Sequence, residues 1–414
     1  MLGRYNRSNI GRVRMSGKAL RLAAAGALAA CLAIPSLSRS RVEERGAVAN
    51  GLTVHEWGTF TSVAGPYGQA VEWLPLTGST DLPSFVEHFR DGQFKCGLGG
   101  TVRMETPVLY FYSPRETTVS VKVSFSKGFI TEWYPHASAV EPAVDRPRNN
   151  SDGSIRWDAV RLIPGSRAAF PSPSGDNHYY AARNTSATPV RVKARGGDQD
   201  EKFLFYRGVS SAAMPIAARL TAEGKILVQN LGTDEIPGVI LIESRGGNLG
   251  FRVAGSVRDQ ALVDPPPLTA AADSMLKELE SILIDRGLYV DEARAMIATW
   301  RNSWFEEGSR LLYILPAQAV SAILPMTVTP APGSTVRVFV GRLELVTPAT
   351  ERAVGQAFAA HDKPALDKYR RFLEPILHAM LANAQADPAR TQELRRYLNS
   401  VYSYACRSPW PAER

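Results

Sequence analysis

The sequence predicts a mainly β protein of β-sandwich-like antiparallel sheets, with an inserted helical hairpin and a helical C-terminal tail, α+β overall. Three observations predict it. Short runs of alternating apolar and polar residues follow one another from residue 51 to about 263. Gly, Pro, Asn and Asp separate those runs. Apolar residues recur at helical spacing only beyond them. Period two marks a half-buried strand, and many short strands between turn residues favour a sandwich over a wound parallel sheet.

In chain order the N-terminus comes first. Residues 1–38 contain Arg4, Arg7, Arg12, Arg14, Lys18 and Arg21 and no acidic residue, so they carry +6 of the net +8. The remaining +2 over 376 residues is no footprint for a polyanion, and a nucleic-acid partner is not expected. Basic residues followed by an apolar run over 22–37 read as a signal peptide spanning 1–38. The run would rise about 24 Å as a helix, short of the roughly 30 Å bilayer core, so no transmembrane span is expected in the mature chain. Cleavage after Ser38 is the leading expectation; Leu28-Ala29-Ala30-Cys31 also fits a lipobox, which makes Cys31 a lipidation candidate. Met15 would give a signal of more usual length and is an alternative start. The expected location is thus periplasmic or extracellular, with or without a lipid anchor.

Export changes what the cysteines mean. Without Cys31 the mature chain has Cys96 and Cys406, an even pair in an oxidising compartment, and a disulfide between them is expected over two separate buried thiols.

The β-rich domain is placed at 50–263. It contains VRMETPVLYFY (102–112), TTVSVKVSF (117–125), FITEWY (129–134), SIRWDAVRL (154–162), PVRVKA (189–194) and KFLFYRG (202–208). ARLTAEGKILVQNLG reads as a hairpin turning at Glu223-Gly224. Residues 141–183, rich in Pro, Ser, Asn and Gly, read as an insertion or irregular loop. After Asp264-Pro265-Pro266-Pro267, residues 268–346 read as two helices plus strands that pack on the β domain, with Asp291 capping the second helix. Thr347-Pro348 and Asp387-Pro388 each place a cap before a proline at the first helical position, giving a tail of about three helices over 348–414.

The chemistry is less legible. The sequence has no Gly-x-Ser-x-Gly elbow, no His-Glu-x-x-His helix and no phosphate loop. Gly97, Gly99 and Gly100 read as a turn, and Ser124 and Lys127 fall at a strand end where a Ser-x-x-Lys dyad cannot form. His361 and His378 fall on polar or mixed faces of tail helices and read as bland. Three of the seven tryptophans directly follow a glutamate, where composition predicts fewer than one: Glu56-Trp57, Glu72-Trp73 and Glu132-Trp133. His55 and His136 stand beside two of them.

A carboxyl held against an indole loses water and its pKa rises, which suits acid–base chemistry, while indole and phenol rings offer flat faces to a sugar or small molecule. Glu56 and Glu132 are therefore the catalytic candidates, Trp57, Trp73 and Tyr134 the binding candidates, and His55 and His136 weak metal-ligand candidates. The plainer reading makes the tryptophans core and pairs the glutamates with arginines such as Arg103 or Arg115. Glu105, Arg207 and the Glu306-Glu307 pair also need partners, with structural ion pairs the default.

The segments VHEWGTFTSVAG, DLPSFV, VRMETPVLYFY, ITEWYP, EKFLFYRGV and SWFEEGSRLLYILP resemble a family of exported bacterial proteins without an assigned activity. The likeness runs over about 52–346. It implies export and a shared fold and transfers no catalytic residue and no cofactor. The leading expectation is a cell-envelope binding or structural protein with a Glu/Trp/His-lined cleft, its ligand an envelope glycan or small molecule. The alternatives are a hydrolase, glycan-directed in one version, with Glu56 and Glu132 as its acid/base pair, and a His/Glu metal protein. Neither a cofactor nor an oligomeric state follows from these residues.

Overall fold

The alternation of Val119, Val121, Val123 and Phe125 does what period two predicts: these four side chains are buried and their neighbours are not. The computed structural model describes residues 48–76, 82–88, 98–142, 152–173, 177–384 and 387–407. In chain order the strands are β1 (Val48–Ala64), β2 (Glu87–His88), β3 (Val102–Tyr112), β4 (Thr117–Phe125), β5 (Gly128–Tyr134) and β6 (Ala139–Glu141). Then come β7 (Gly153–Leu162), β8 (Val190–Ala194), β9 (Gly197–Glu201), β10 (Leu204–Ser210), β11 (Ile216–Leu220) and β12 (Ile226–Asn230). The last are β13 (Ile236–Arg245), β14 (Asn248–Val257), β15 (Gln260–Val263), β16 (Gly308–Ile314), β17 (Met326–Thr329) and β18 (Ala331–Leu345).

Helices α1 (Ala272–Asp285) and α2 (Val290–Trp304) form the hairpin, and α3 (Ala317–Ile323) is short. The tail holds α4 (Pro348–Ala359), α5 (Lys363–Asp367), α6 (Leu373–Asn383) and α7 (Pro388–Arg407), four helices where about three were expected.

A nine-stranded sheet runs β14-β13-β16-β18-β1-β3-β10-β5-β2. A six-stranded sheet (β17-β4-β7-β8-β9, with β6 on β7) and a three-stranded sheet (β11-β12-β15) supply the second layer. Val54, Phe60, Leu109 and Tyr206 of the large sheet share one core with Val121, Phe125, Trp157 and Val228 of the smaller ones. The opposite face carries Trp57, Val108, Phe205 and Val340, packed against Met275, Leu279, Met296 and Trp304 of the hairpin. Central strands covered on both faces lose the alternating pattern. That is why β5 and β16 are buried throughout.

The expectation of a mainly β architecture of antiparallel sheets holds, with one departure. β1 and β18 pair in parallel, and Glu56 stands opposite Arg337 in that register. Strands from 268–346 therefore lie inside the large sheet, between β13 and β1. Two local readings differ in detail, and a third agrees. The second helix starts at Val290 with Tyr289 as N-cap, so Asp291 lies inside its first turn. The stretch 141–183 contains β7 and a 3-10 helix, His178–Arg183. Thr347 caps α4 as expected, its Oγ1 accepting from the Thr350 amide at 3.2 Å.

Candidate functional site

Strand alternation separates each buried glutamate from its tryptophan. On β1, Trp57 joins the helix-side core while Glu56 enters the core between the sheets. Arg337 donates from Nε to Glu56 Oε2 at 2.6 Å, and the Tyr206 hydroxyl donates to Oε1. Burial, and then the adjacent Glu56 charge, push the Tyr206 pKa well up, so that hydroxyl keeps its proton.

On β5, Trp133 lies in the inter-sheet core and donates its indole N–H to Glu87 Oε2 at 3.0 Å. Glu132 faces the helix side, opposite Arg207 of β10 in the register, and accepts from the Thr131 hydroxyl. Strands β3 and β10 separate β1 from β5, which is three lateral steps of about 4.8 Å. Glu56 and Glu132 thus face opposite sides of one sheet, and both are buried. The shared acid/base site expected from the sequence is not assembled, because two strands intervene and the two glutamates differ in alternation phase.

The histidines also serve separate carboxylates. His55 Nδ1 lies 2.8 Å from Glu292 Oε2. Glu292 also accepts the Tyr112 hydroxyl at 2.8 Å and the Tyr289 amide at 2.7 Å. This is a capping carboxylate of α2 with three partners, and it fixes the helix to β1 and β3. His136 Nδ1 lies 2.9 Å from Glu87 Oε2, the oxygen that also holds Trp133. Among the described residues no three His, Cys, Asp or Glu side chains gather as metal ligands. Cys31 and Cys96 lie outside the described residues, as does the side chain of Cys406.

Buried charge forms a belt across the helix side of the large sheet. Arg310 donates from Nε and an amino nitrogen to the two oxygens of Glu344, both at 2.9 Å. Arg342 reaches Glu344 at 3.1 Å, Glu306 at 3.0 Å and the Ser303 carbonyl at 2.9 Å. Thr61 donates to Glu105 at 2.7 Å, and Arg371 pairs with the same carboxylate. Arg103 Nε lies 3.1 Å from Glu105, while its amino group donates to the Pro75 carbonyl at 2.7 Å. Glu105 and Glu306 thus find the structural partners they needed. Burial alone would raise the Glu105 pKa, but Arg371, Arg103 and the Thr61 bond outweigh it and hold it below the usual carboxylate range. Glu344 is held low in the same way by Arg310 and Arg342.

The third Glu-Trp pair lies elsewhere. Glu72 and Trp73 line a cleft of about 730 Å³ between the end of β1, the three-stranded sheet, the start of α4 and α6. Its walls are tied together. Val71 donates to the Val63 carbonyl at 2.9 Å, Trp73 and Gly100 exchange two backbone bonds of 3.1 Å, and Ala218 donates to the Gly68 carbonyl at 2.9 Å. Gly68 has φ +92°, and a Cβ there would come within 2.9 Å of the Ala218 backbone, so this wall requires glycine. Trp73 is buried and stacks on Phe372, ring centres 5.7 Å apart.

Val63, Val71, Ile226, Leu220, Pro375 and Ala379 make the cleft apolar, with Glu72, Glu351, Glu374, His378 and Arg219 as its ionisable groups. His378 Nε2 lies 3.1 Å from Glu374 Oε1. That hydrogen bond raises the His378 pKa against the opposing effect of burial. Burial also raises the Glu351 pKa. Of the sequence candidates, Trp73 alone reaches this cleft; Tyr134 is buried on the helix side, edge-on to Phe85 at 4.7 Å. Sequence reasoning missed Glu351, Glu374 and His378, whose only signal was two acids in the first turns of tail helices.

No family model matches this chain, and no curated relative does. Among solved structures, the chain is similar to the Fcho1 Mu homology domain of Danio rerio, a structure with a bound Eps15 peptide. The match has 6% identity and a TM-score of 0.28, over 71% of this chain and 96% of that one.

Proposed function

We propose that this is an exported ligand-binding protein of the cell envelope, and that the cleft between β1, the three-stranded sheet and α6 is its binding site. The observation that carries the reading is the cleft itself. Its volume of about 730 Å³ falls within the usual range for small-molecule sites, and its walls are apolar with few polar groups. A buried indole and a Glu/His pair line it, which is the residue chemistry a small organic molecule uses for orientation. Export rests on the basic stretch and apolar run of residues 1–38. A hydrolase using Glu56 and Glu132 has no comparable support, since neither carboxyl reaches solvent and the two face opposite ways.

The test uses the neutral fluorescent probe N-phenyl-1-naphthylamine. Saturable binding at one site is expected, and Ala379→Trp, which fills the cleft, should abolish it without lowering the Tm. Probe binding unchanged in Ala379→Trp would overturn the assignment.

A further inference from the structure

The turn before α6 ties the cleft to the belt of buried charge. It is a 3-10 turn, Arg370–Phe372, and it runs directly into α6 at Leu373. On the belt side, Arg371 pairs with the Glu105 carboxylate and donates to the Ser303 hydroxyl at 3.4 Å. On the cleft side, Phe372 stacks on Trp73 with the ring planes 18° apart, and both residues are buried. Two guanidinium groups hold the same phenyl ring, Arg342 at 4.5 Å and Arg371 at 5.0 Å from its centre. Glu374 and Pro375, in the first turn of α6, line the cleft together with Trp73. A second observation is independent of these contacts. Arg370 has φ +46° and Thr106, the residue after Glu105, has φ +43°, so left-handed backbone adjoins both partners of one ion pair. Neither residue is glycine, and Thr106 is β-branched and buried. Such strain persists only where neighbouring contacts hold it, and it clusters at clamps and switches.

Resting on the binding reading above, we infer that the Arg371–Glu105 ion pair is a latch that controls the cleft. Closed, it holds Phe372 against Trp73 and fixes the Trp73 wall and the first turn of α6 in their binding geometry. Released, it leaves Arg370 free to quit the left-handed region, and a shift of that turn carries Phe372, Glu374 and Pro375 with it. Neither Arg371 nor Glu105 is among the residues that line the cleft, so both act through the Phe372–Trp73 stack, as positioning residues. The coupling is reciprocal: a ligand in the cleft favours the closed latch by the same factor by which the closed latch favours the ligand.

Titrations of N-phenyl-1-naphthylamine at pH 7 test the latch. Arg371→Met is expected to weaken binding about five- to tenfold. Arg371→Lys should recover part of that loss, since an ammonium keeps the charge but not the guanidinium fork. Phe372→Leu keeps the ion pair and removes the stacked ring; it should weaken the probe as well, and it carries the test where Arg371→Met does not fold. Glu105→Gln and Arg371→Met break one contact, so the double variant should bind no more weakly than the weaker of the two single variants. Ile155→Val, a destabilising change in the core of the six-stranded sheet, should leave the affinity at the parent value. Parent affinity in Arg371→Met and Phe372→Leu, or losses that multiply in the double variant, with Ala379→Trp still blocking the probe, would overturn the latch alone. Probe binding that survives Ala379→Trp would overturn the cleft reading beneath it.

Discussion

Glu56 and Arg337 are separated by 281 residues in sequence, yet they stand opposite one another in the parallel pairing of β1 and β18 and meet at 2.6 Å. A glutamate kept for chemistry usually costs stability, so its removal leaves the Tm unchanged or raises it. A buried partner of a guanidinium behaves in the opposite way. Glu56→Gln is expected to destabilise by about 3–5 kcal/mol, because Arg337 is left as an uncompensated charge. Glu56→Leu combined with Arg337→Met should recover much of the loss, since an apolar pair of similar volume removes both desolvation costs. Urea unfolding of the three variants checks it, and a neutral Glu56→Gln would contradict the structural role.

The belt makes a similar demand at a second place. Glu344 pairs with both Arg310 and Arg342, and Arg310 is 0% exposed. Glu344→Gln should therefore cost at least as much as Glu56→Gln, at about 3–5 kcal/mol or more. Arg310→Lys should not be silent, because one ammonium cannot bond both Glu344 oxygens and the Trp304 carbonyl as the guanidinium does. Thermal unfolding of Arg310→Lys within a degree of the parent would refute that geometry.

How much of this was legible depended on locality. β4 was readable because one of its faces is buried and the other is not, so Val119, Val121 and Val123 alternate. β5 is buried on both faces and mixes Thr131 and Glu132 with its apolar residues, so it shows no period and its partner strands could not be read from it. The parallel neighbour of β1 comes from near the end of the sheet-forming sequence, and no local pattern encodes that pairing. The excess of Glu-Trp pairs was a real signal with a structural cause. Alternation sends Trp57 to one core and Glu56 to the other, and both layers need filling. The cleft draws on the ends of β1, β11 and β12 and on α4 and α6, so no single segment carries its signature. His378 looked bland because its partner, Glu374, is one turn away on the same helix and its surroundings come from elsewhere.

Glu105 and Glu344 also fix an acid limit. Both carboxyls have folded pKa values below the usual range, so the unfolded chain binds protons more readily than the folded one. Their stabilisation is complete above the unfolded glutamate value of about 4.3 and is lost as pH falls through the lower folded values. Urea midpoints should therefore hold between pH 7 and 5 and drop steeply below 4. Glu105→Gln, less stable at pH 7, should show a shallower acid slope. An acid slope identical to that of the parent would show that Glu105 is not paired as described.

The cleft should respond to pH in the neutral range, and its sign follows from two groups. His378 has a raised pKa through its bond to Glu374, and Glu351 has a raised pKa through burial. As pH rises, His378 loses a positive charge in the cleft and Glu351 gains a negative one, so the cleft grows more attractive to a cationic probe such as octylammonium. Glu72 and Arg219 are the remaining ionisable groups of the cleft, and an alkylammonium stays protonated over this range, as lysine does near 10. Octylammonium affinity should therefore rise from pH 5 to pH 8, while octan-1-ol affinity stays level. His378→Gln should remove part of that rise, and Glu351→Gln another part. The stability effect of the same pair runs the other way. A histidine with a raised folded pKa stabilises fully below its free value of about 6.5, and the contribution fades as pH climbs through the folded value. Half of the His378 side chain is exposed, so this part is small and is better followed by the NMR titration of its ring protons than by unfolding. A titration at or below the free histidine value, or an ammonium affinity that is flat or falls towards pH 8, would disprove the coupling between Glu374 and His378 and its place in the cleft.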